Sequence, residues 1–295
     1  MLYNDEVHLQ PRGAAEARIT MNCLNKILCF GLAAYISVSG AFAQNNNTAG
    51  SSATVASAAA TPPYMVGETL TYEGKISKII QGIAAGDLTF VVTQPETGDF
   101  VVKAEARSKG TLVKLFGLSF LQQIESTFVP AGTAKLTKKH DVQKERVRDS
   151  EAVFNYGEGQ VTYTETDPKD PMRPPRRIAS NIPPETYDIV SAIYRLRTLP
   201  LSVGASFTLT VSDSGLVYKI PVKVTAREVQ KTVLGKVTCF RIEPNVFGPG
   251  RFIESKGSMI IWITDDSRRI PVRSRVKASF GKLEIKLREV KNLRS

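Results

Sequence analysis

Phe207-Thr208-Leu209-Thr210-Val211-Ser212-Asp213-Ser214-Gly215-Leu216-Val217-Tyr218-Lys219-Ile220-Pro221-Val222-Lys223-Val224 reads as two strands around a tight turn. Apolar and polar residues alternate in Phe207–Val211, as they do along a half-buried strand. Ser212-Asp213-Ser214-Gly215 supplies the residues that turns favour, with a glycine where φ > 0 is needed. Leu216–Val224 then returns as the second strand.

The same unit recurs on both sides. Downstream, Glu228–Val233 and Val237–Ile242 flank Leu234-Gly235-Lys236. Ser258–Thr264 and Ile270–Ala278 flank Asp265-Asp266-Ser267-Arg268-Arg269, and Lys282–Val290 closes the series. Upstream, Glu68–Ile76, Gly86–Val92 and Asp99–Ala106 are strands, with Pro95-Glu96-Thr97-Gly98 a turn between the last two. Further strands are expected at 124–129, 133–143, 149–155 and 159–165. Short strands with regular turn signals predict an all-β domain: one large curved antiparallel sheet, an open half-barrel or barrel-like form.

Two stretches depart from this period. Pro183-Pro184-Glu185 opens a helix carrying Tyr187, Val190, Ala192, Ile193, Tyr194, Leu196 and Arg197 at helical spacing, which Pro200 stops. Proline in the first turn and arginine in the last suit a helix dipole. Thr111–Leu121 is the most apolar stretch after the leader and predicts a short second helical segment, although Gly117 interrupts it. The Pro-rich, basic stretch Asp167–Pro184 reads as a long loop.

The start of the chain gives a compartment. Residues 21–43 have the form of a secretory signal peptide: Lys26, an apolar run Ile27–Val38, and Ala41-Phe42-Ala43 before a cut after Ala43. The apolar run is too short to span a bilayer, which takes about 20 residues. Residues 1–20 carry Asp5, Glu6 and Glu16 and read as a mis-assigned upstream start. Residues 44–63 read as a disordered Ser/Ala/Asn-rich linker, and 64–295 as a single exported β-rich domain. The expected location is periplasmic or secreted, with no transmembrane anchor after cleavage, as a monomer.

The net charge is +11, and residues 1–43 hold equal numbers of acidic and basic groups, so the exported part keeps it. Such a balance favours anionic partners: a lipid, a lipoprotein or another anionic envelope component. Export argues against nucleic acid. Solvated Lys and Arg on outward strand faces are the plainer reading of the same charge.

Catalytic stock is poor. Beyond residue 43 the chain keeps one cysteine, Cys239, and one histidine, His140, so neither a disulfide nor a zinc site is expected. Asp265-Asp266 sits where a hairpin wants Asp for turn geometry. Gly248-Pro249-Gly250-Arg251 lacks the Lys-Ser/Thr of a phosphate loop. Glu68, Glu73, Glu125, Asp188 and Glu254 are scattered carboxylates that spacing does not pair. We expect no enzyme, no metal and no cofactor. Leu112, Leu115, Phe116, Leu118, Phe120, Tyr187, Tyr194 and Trp262 are candidates for lining an apolar ligand site on the concave side of the sheet. Plain core packing is the competing reading of the same residues.

The motifs Val66-Gly67-Glu68-x-Leu70-x-Tyr72, Gly82-x-x-x-Gly86, Tyr187-Asp188-Ile189-Val190-Ser191-Ala192-Ile193-Tyr194-x-x-Arg197, Gly235-x-x-x-Cys239 and Trp262-Ile263-Thr264-Asp265-Asp266-x-x-x-Arg269-Ile270-Pro271-Val272 come in a definite order. In them the chain resembles the bacterial exported family called domain of unknown function 3108, over about residues 64–291. The resemblance implies an exported β-rich domain without an established catalytic mechanism. It further implies an open half-barrel similar to periplasmic lipoprotein carriers, with the Tyr187–Arg197 helix and the Leu112–Leu121 segment as lids. It transfers no functional residues. The expected function is a non-enzymatic envelope protein binding an apolar or amphipathic ligand such as a lipid or acyl chain. The alternatives are an envelope structural or interaction module with a filled core and a carboxylate-based hydrolase.

Overall fold

The computed structural model describes residues 61–77, 82–94, 98–110, 113–114, 117, 119–279 and 281–293. The signal-peptide reading and nearly all of the linker reading lie outside them. The first half holds β1 (Thr69–Ser77), β2 (Ile83–Thr93), β3 (Phe100–Ser108), β4 (Phe120–Phe128), β5 (Ala134–Gln143), β6 (Arg146–Asn155), β7 (Gln160–Thr166) and β8 (Arg176–Asn181). Next come β9 (Thr186–Tyr187) and helix α1 (Ile189–Thr198). The second half holds β10 (Ser206–Asp213), β11 (Leu216–Thr232), β12 (Gly235–Pro244), β13 (Gly257–Thr264), β14 (Pro271–Ala278) and β15 (Gly281–Lys291).

All 15 strands join in one sheet, in the order β9-β10-β11-β12-β13-β14-β15-β1-β2-β3-β4-β5-β6-β7-β8. The last strand pairs with the first, Lys286 opposite Glu73, so the two halves are laddered through their termini. Every pairing is antiparallel except the short parallel β9–β10. The sheet is therefore mixed, curved and not closed by a ladder. Its two edges, β8 and β9, are neighbours in the chain, which brings the ends of the sheet together.

Side chains make that seam. Ser180 Oγ donates to the Gly215 carbonyl at 2.6 Å, and Lys139 forms a largely buried ion pair with Asp213. Ser214 and Gly215 both have positive φ, 51° and 78°, as a two-residue type I′ hairpin requires. A Cβ on Gly215 would lie 2.8 Å from the Cβ atoms of both Ile178 and Tyr163. Glycine here serves the turn and the close approach at once.

The inner face carries the core. Leu88, Phe90 and Val92 of β2, Val102, Ala104 and Ala106 of β3, and Ile124 and Phe128 of β4 are all buried there. Helix α1 fills the interior: Ile189, Val190, Ala192, Tyr194 and Leu196 are buried in the same cluster. Tyr194 packs edge-on to Tyr64 at 4.9 Å between ring centres, and Phe100 and Phe128 stack beside them at 6.1 Å. Edge-to-face and offset arrangements suit aromatic quadrupoles.

Three local expectations are corrected. The helix begins at Ile189, not at the prolines, because the buried Asp188 carboxylate accepts from the N–H groups of Val190 (2.7 Å) and Ser191 (2.9 Å). Asp167–Pro184 is not all loop: β8 lies inside it. An edge strand needs a ladder on one side only, so the prolines before it are tolerated. Leu216–Thr232 is one strand of 17 residues, not two. A bulge between Val224 and Ala226 absorbs the break in alternation that made it read as two.

Candidate functional site

The face of β2–β7 opposite the core is polar and forms an open groove of about 1050 Å³. Strand register arranges its side chains in cross-strand rows. One row runs Val91, Lys103, Glu125, Lys138, Glu151, Thr164. The next runs Thr89, Glu105, Gln123, His140, Asp149, Thr166. Successive side chains alternate between faces, so every second residue of each strand enters these rows while its neighbours turn to the other face. Ala104 and Ile124, whose side chains face inward, add backbone to the floor.

Opposite charges meet along the rows. Lys103 lies 3.6 Å from Glu125 and Lys138 lies 3.9 Å from Glu151, all four well exposed. Gln123 Nε2 donates to Glu105 at 2.9 Å. His140 Nδ1 sits 2.6 Å from Asp149 Oδ1. Exposed pairs of this kind add little stability, at most about 1 kcal/mol each. They leave the groove lined by groups that also reach a ligand.

Two residues further along the same strands, a third row on this face is different: Asp87, Arg107, Leu121, Val142, Val147. Leu121 and Val142 line a second pocket of about 440 Å³, with Val113, Phe120, Arg107 and Lys114. Val113 N–H donates to the Lys109 carbonyl and Gly117 N–H to the Val113 carbonyl, four residues back in each case. The same face thus passes from a charged trough to an apolar pocket with two cations beside it.

Of the residues expected to line a site, Phe120 is here. Leu112, Leu115, Phe116 and Leu118 lie outside the described residues. Tyr187 and Tyr194 are buried on the inner side, in the core cluster with α1. Trp262 is only 3 % exposed, its indole N–H donating to Glu228 Oε2 at 3.1 Å. Cys239 is fully buried, and burial followed by the charges of Asp266, Asp265 and Glu228 pushes its thiol up to about 12. Four of the scattered carboxylates are engaged. Glu68 pairs with Arg197, Asp188 caps α1, Glu73 binds Lys109 and Arg288, and Glu125 faces Lys103. The groove rows were missed because charged residues on strands read as solvated surface. The available signal was the period-two charge in Lys138-x-His140 and Asp149-x-Glu151.

Comparison with known proteins agrees with this architecture. The family model described as protein of unknown function (DUF3108) matches residues 69–288. The chain belongs to the DUF3108 family. The crystal structure of a β-barrel-like protein of the domain of unknown function DUF1849 from Brucella abortus superposes with a TM-score of 0.56 at 11% identity, covering 79% of this chain and 99% of that one. A protein with a YmcC-like fold from Bacteroides fragilis is a looser match, with a TM-score of 0.32 at 14% identity over 79% of this chain and 99% of that one. No curated protein matches the sequence. The DUF1849 similarity establishes a barrel-like fold held in common with this DUF3108 chain.

Proposed function

We propose that this DUF3108 protein is a non-enzymatic exported protein of the cell envelope that binds an amphipathic ligand on the outer face of β2–β7. The observation that carries this reading is the junction of the apolar pocket at Leu121 and Val142 with the polar rows beside it. An alkyl chain fits the pocket, which is of the size that holds small apolar groups. Lys114 and Arg107, the latter also bound to Glu105, line it and would meet an acidic head. The export reading of residues 21–43 supports a ligand of the envelope.

The test is binding of a fluorescent fatty-acid probe to the chain beginning at Gln44, with mass spectrometry of lipid that co-purifies. Leu121→Asp with Val142→Asp puts two carboxylates into the pocket and is expected to weaken probe binding at least tenfold. Unchanged binding in that variant, or no binding by the native protein, overturns the reading.

The buried face of α1 favours a second reading, since a filled interior leaves the outer rows to act alone. The protein is then an interaction module whose trough receives an extended polar segment of a partner. Charge reversal at Glu125 and Glu151 separates the two: it abolishes partner binding in the second reading and spares the alkyl probe in the first.

A further inference from the structure

The outer face of β14, β15 and β1 holds a second arrangement of charge, apart from the trough. Register sets Arg273 opposite Lys286, Arg275 opposite Glu284, and Lys277 opposite Lys282. On the other side of β15, Lys286 faces Glu73, Glu284 faces Lys75, and Lys282 faces Ser77. Six cations and two carboxylates share this patch, a surplus of four positive charges. Two of the directly opposed pairs, Arg273–Lys286 and Lys277–Lys282, are cation against cation. Like charges directly opposite each other destabilise a sheet, so these two pairs do not themselves serve folding.

The cations are also held in place. Arg273 Nε donates to Glu284 at 3.0 Å, and Lys286 (3.1 Å), Arg275 (3.6 Å) and Lys282 (3.9 Å) converge on the same carboxylate. The guanidinium groups of Arg273 and Arg275 lie 4.9 Å and 5.3 Å from the Trp262 ring centre. Trp262 is directly across from Arg273, and Arg275 is its diagonal neighbour. Arginine stacked on an aromatic ring and clamped by a carboxylate has lost the rotamer freedom that surface arginine normally keeps. One carboxylate cannot neutralise four cations, so the cluster presents ordered, uncompensated positive charge.

We propose that this patch docks the protein on an anionic phospholipid surface, its fixed cations meeting headgroup phosphates. A negative leaflet attracts clustered Lys and Arg, and Lys277, Lys282 and Lys286 are the more exposed members of the cluster. The export reading of residues 21–43 favours lipid phosphates over those of nucleic acid.

The test is co-sedimentation of the chain beginning at Gln44 with vesicles of phosphatidylglycerol and phosphatidylcholine, against vesicles of phosphatidylcholine alone. Binding to the first and not the second is expected, weakening as salt shortens the Debye length from about 10 Å at 0.1 M to about 3 Å at 1 M. Replacing Arg275, Lys277 and Lys282 together by Ser is expected to lower vesicle binding at least tenfold while fatty-acid probe binding is kept. Lys277→Arg with Lys282→Arg keeps the charge and should keep the binding, which separates loss of charge from loss of fold. Equal binding to both vesicle types, full binding by the triple variant, or binding to duplex DNA or inorganic phosphate but not to the anionic vesicles overturns the proposal.

Discussion

Arg197 and Glu68 form a bidentate ion pair inside the half-barrel, Nη1 to Oε1 at 2.5 Å and Nη2 to Oε2 at 2.8 Å, with both side chains out of contact with solvent. Arg197 Nη2 also donates to the carbonyls of Arg268 (3.0 Å) and Pro63 (3.3 Å). Its guanidinium lies 5.2 Å from the ring centres of both Tyr64 and Tyr194. One side chain therefore ties the last turn of α1 to the segment before β1 and to the β13–β14 loop. Arg197→Met strands a buried carboxylate and is expected to cost about 3–5 kcal/mol. Adding Glu68→Leu removes the stranded charge and should recover much of that loss. Urea unfolding of the two variants checks this.

Asp188 joins the helix to the sheet. Its Oδ1 caps α1, while Oδ2 accepts from Ser126 Oγ at 2.5 Å and Thr137 Oγ1 at 2.9 Å. Asp188→Ala removes the cap and leaves two buried hydroxyls without that acceptor, a cost of about 3 kcal/mol or more. Asp188→Asn keeps a capping oxygen and should cost less. Thermal unfolding ranks the two.

Gly215→Ala puts a Cβ at positive φ and against Ile178 and Tyr163. Backbone strain and overpacking together predict a loss of about 2 kcal/mol or more. The hairpin sits on the seam, so amide exchange should quicken in β8 before it does in β2 or β3. A uniform change across the strands would speak against a side-chain seam.

Acid should destabilise the fold in a defined window. Burial disfavours ionised Glu73 and Glu284, but Lys109 and Arg288 at the first, and Arg273 and Lys286 at the second, outweigh it and hold both at about 2 against an ordinary 4.5. A carboxyl lowered on folding stabilises the native state above its unfolded value and loses that contribution as pH falls through its folded value. Stability should fall between pH 4.5 and about 2, less steeply in Glu284→Gln. Asp188 works the other way. Burial raises it, and Ser126, Ser191, Thr137 and Lys139 offset only part of that, so its contribution weakens as pH rises. Unfolding midpoints measured from about pH 2 up to neutral pH check both signs.

Strand existence was legible from local pattern. Phe207–Val224 appears as two strands around a Ser-Gly turn because alternation and turn chemistry are set within a few residues. Where the outcome hung on a neighbour, local reading fell short. β8 hides among prolines because an edge strand is made by its one partner, and β11 looked broken because only its partners reveal the bulge.

By itself the sequence determined the class, the presence of a helix ending before Pro200 and the family, since these follow from short-range periodicity and from motifs in order. Only the tertiary structure decided what the sheet does with its two faces. Register, a long-range property of paired strands, lines up Lys103, Glu125, Lys138 and Glu151 in one trough and crowds Arg273 beside Lys286 in one patch. Residues far apart in the chain acquire a joint chemistry there that none shows alone.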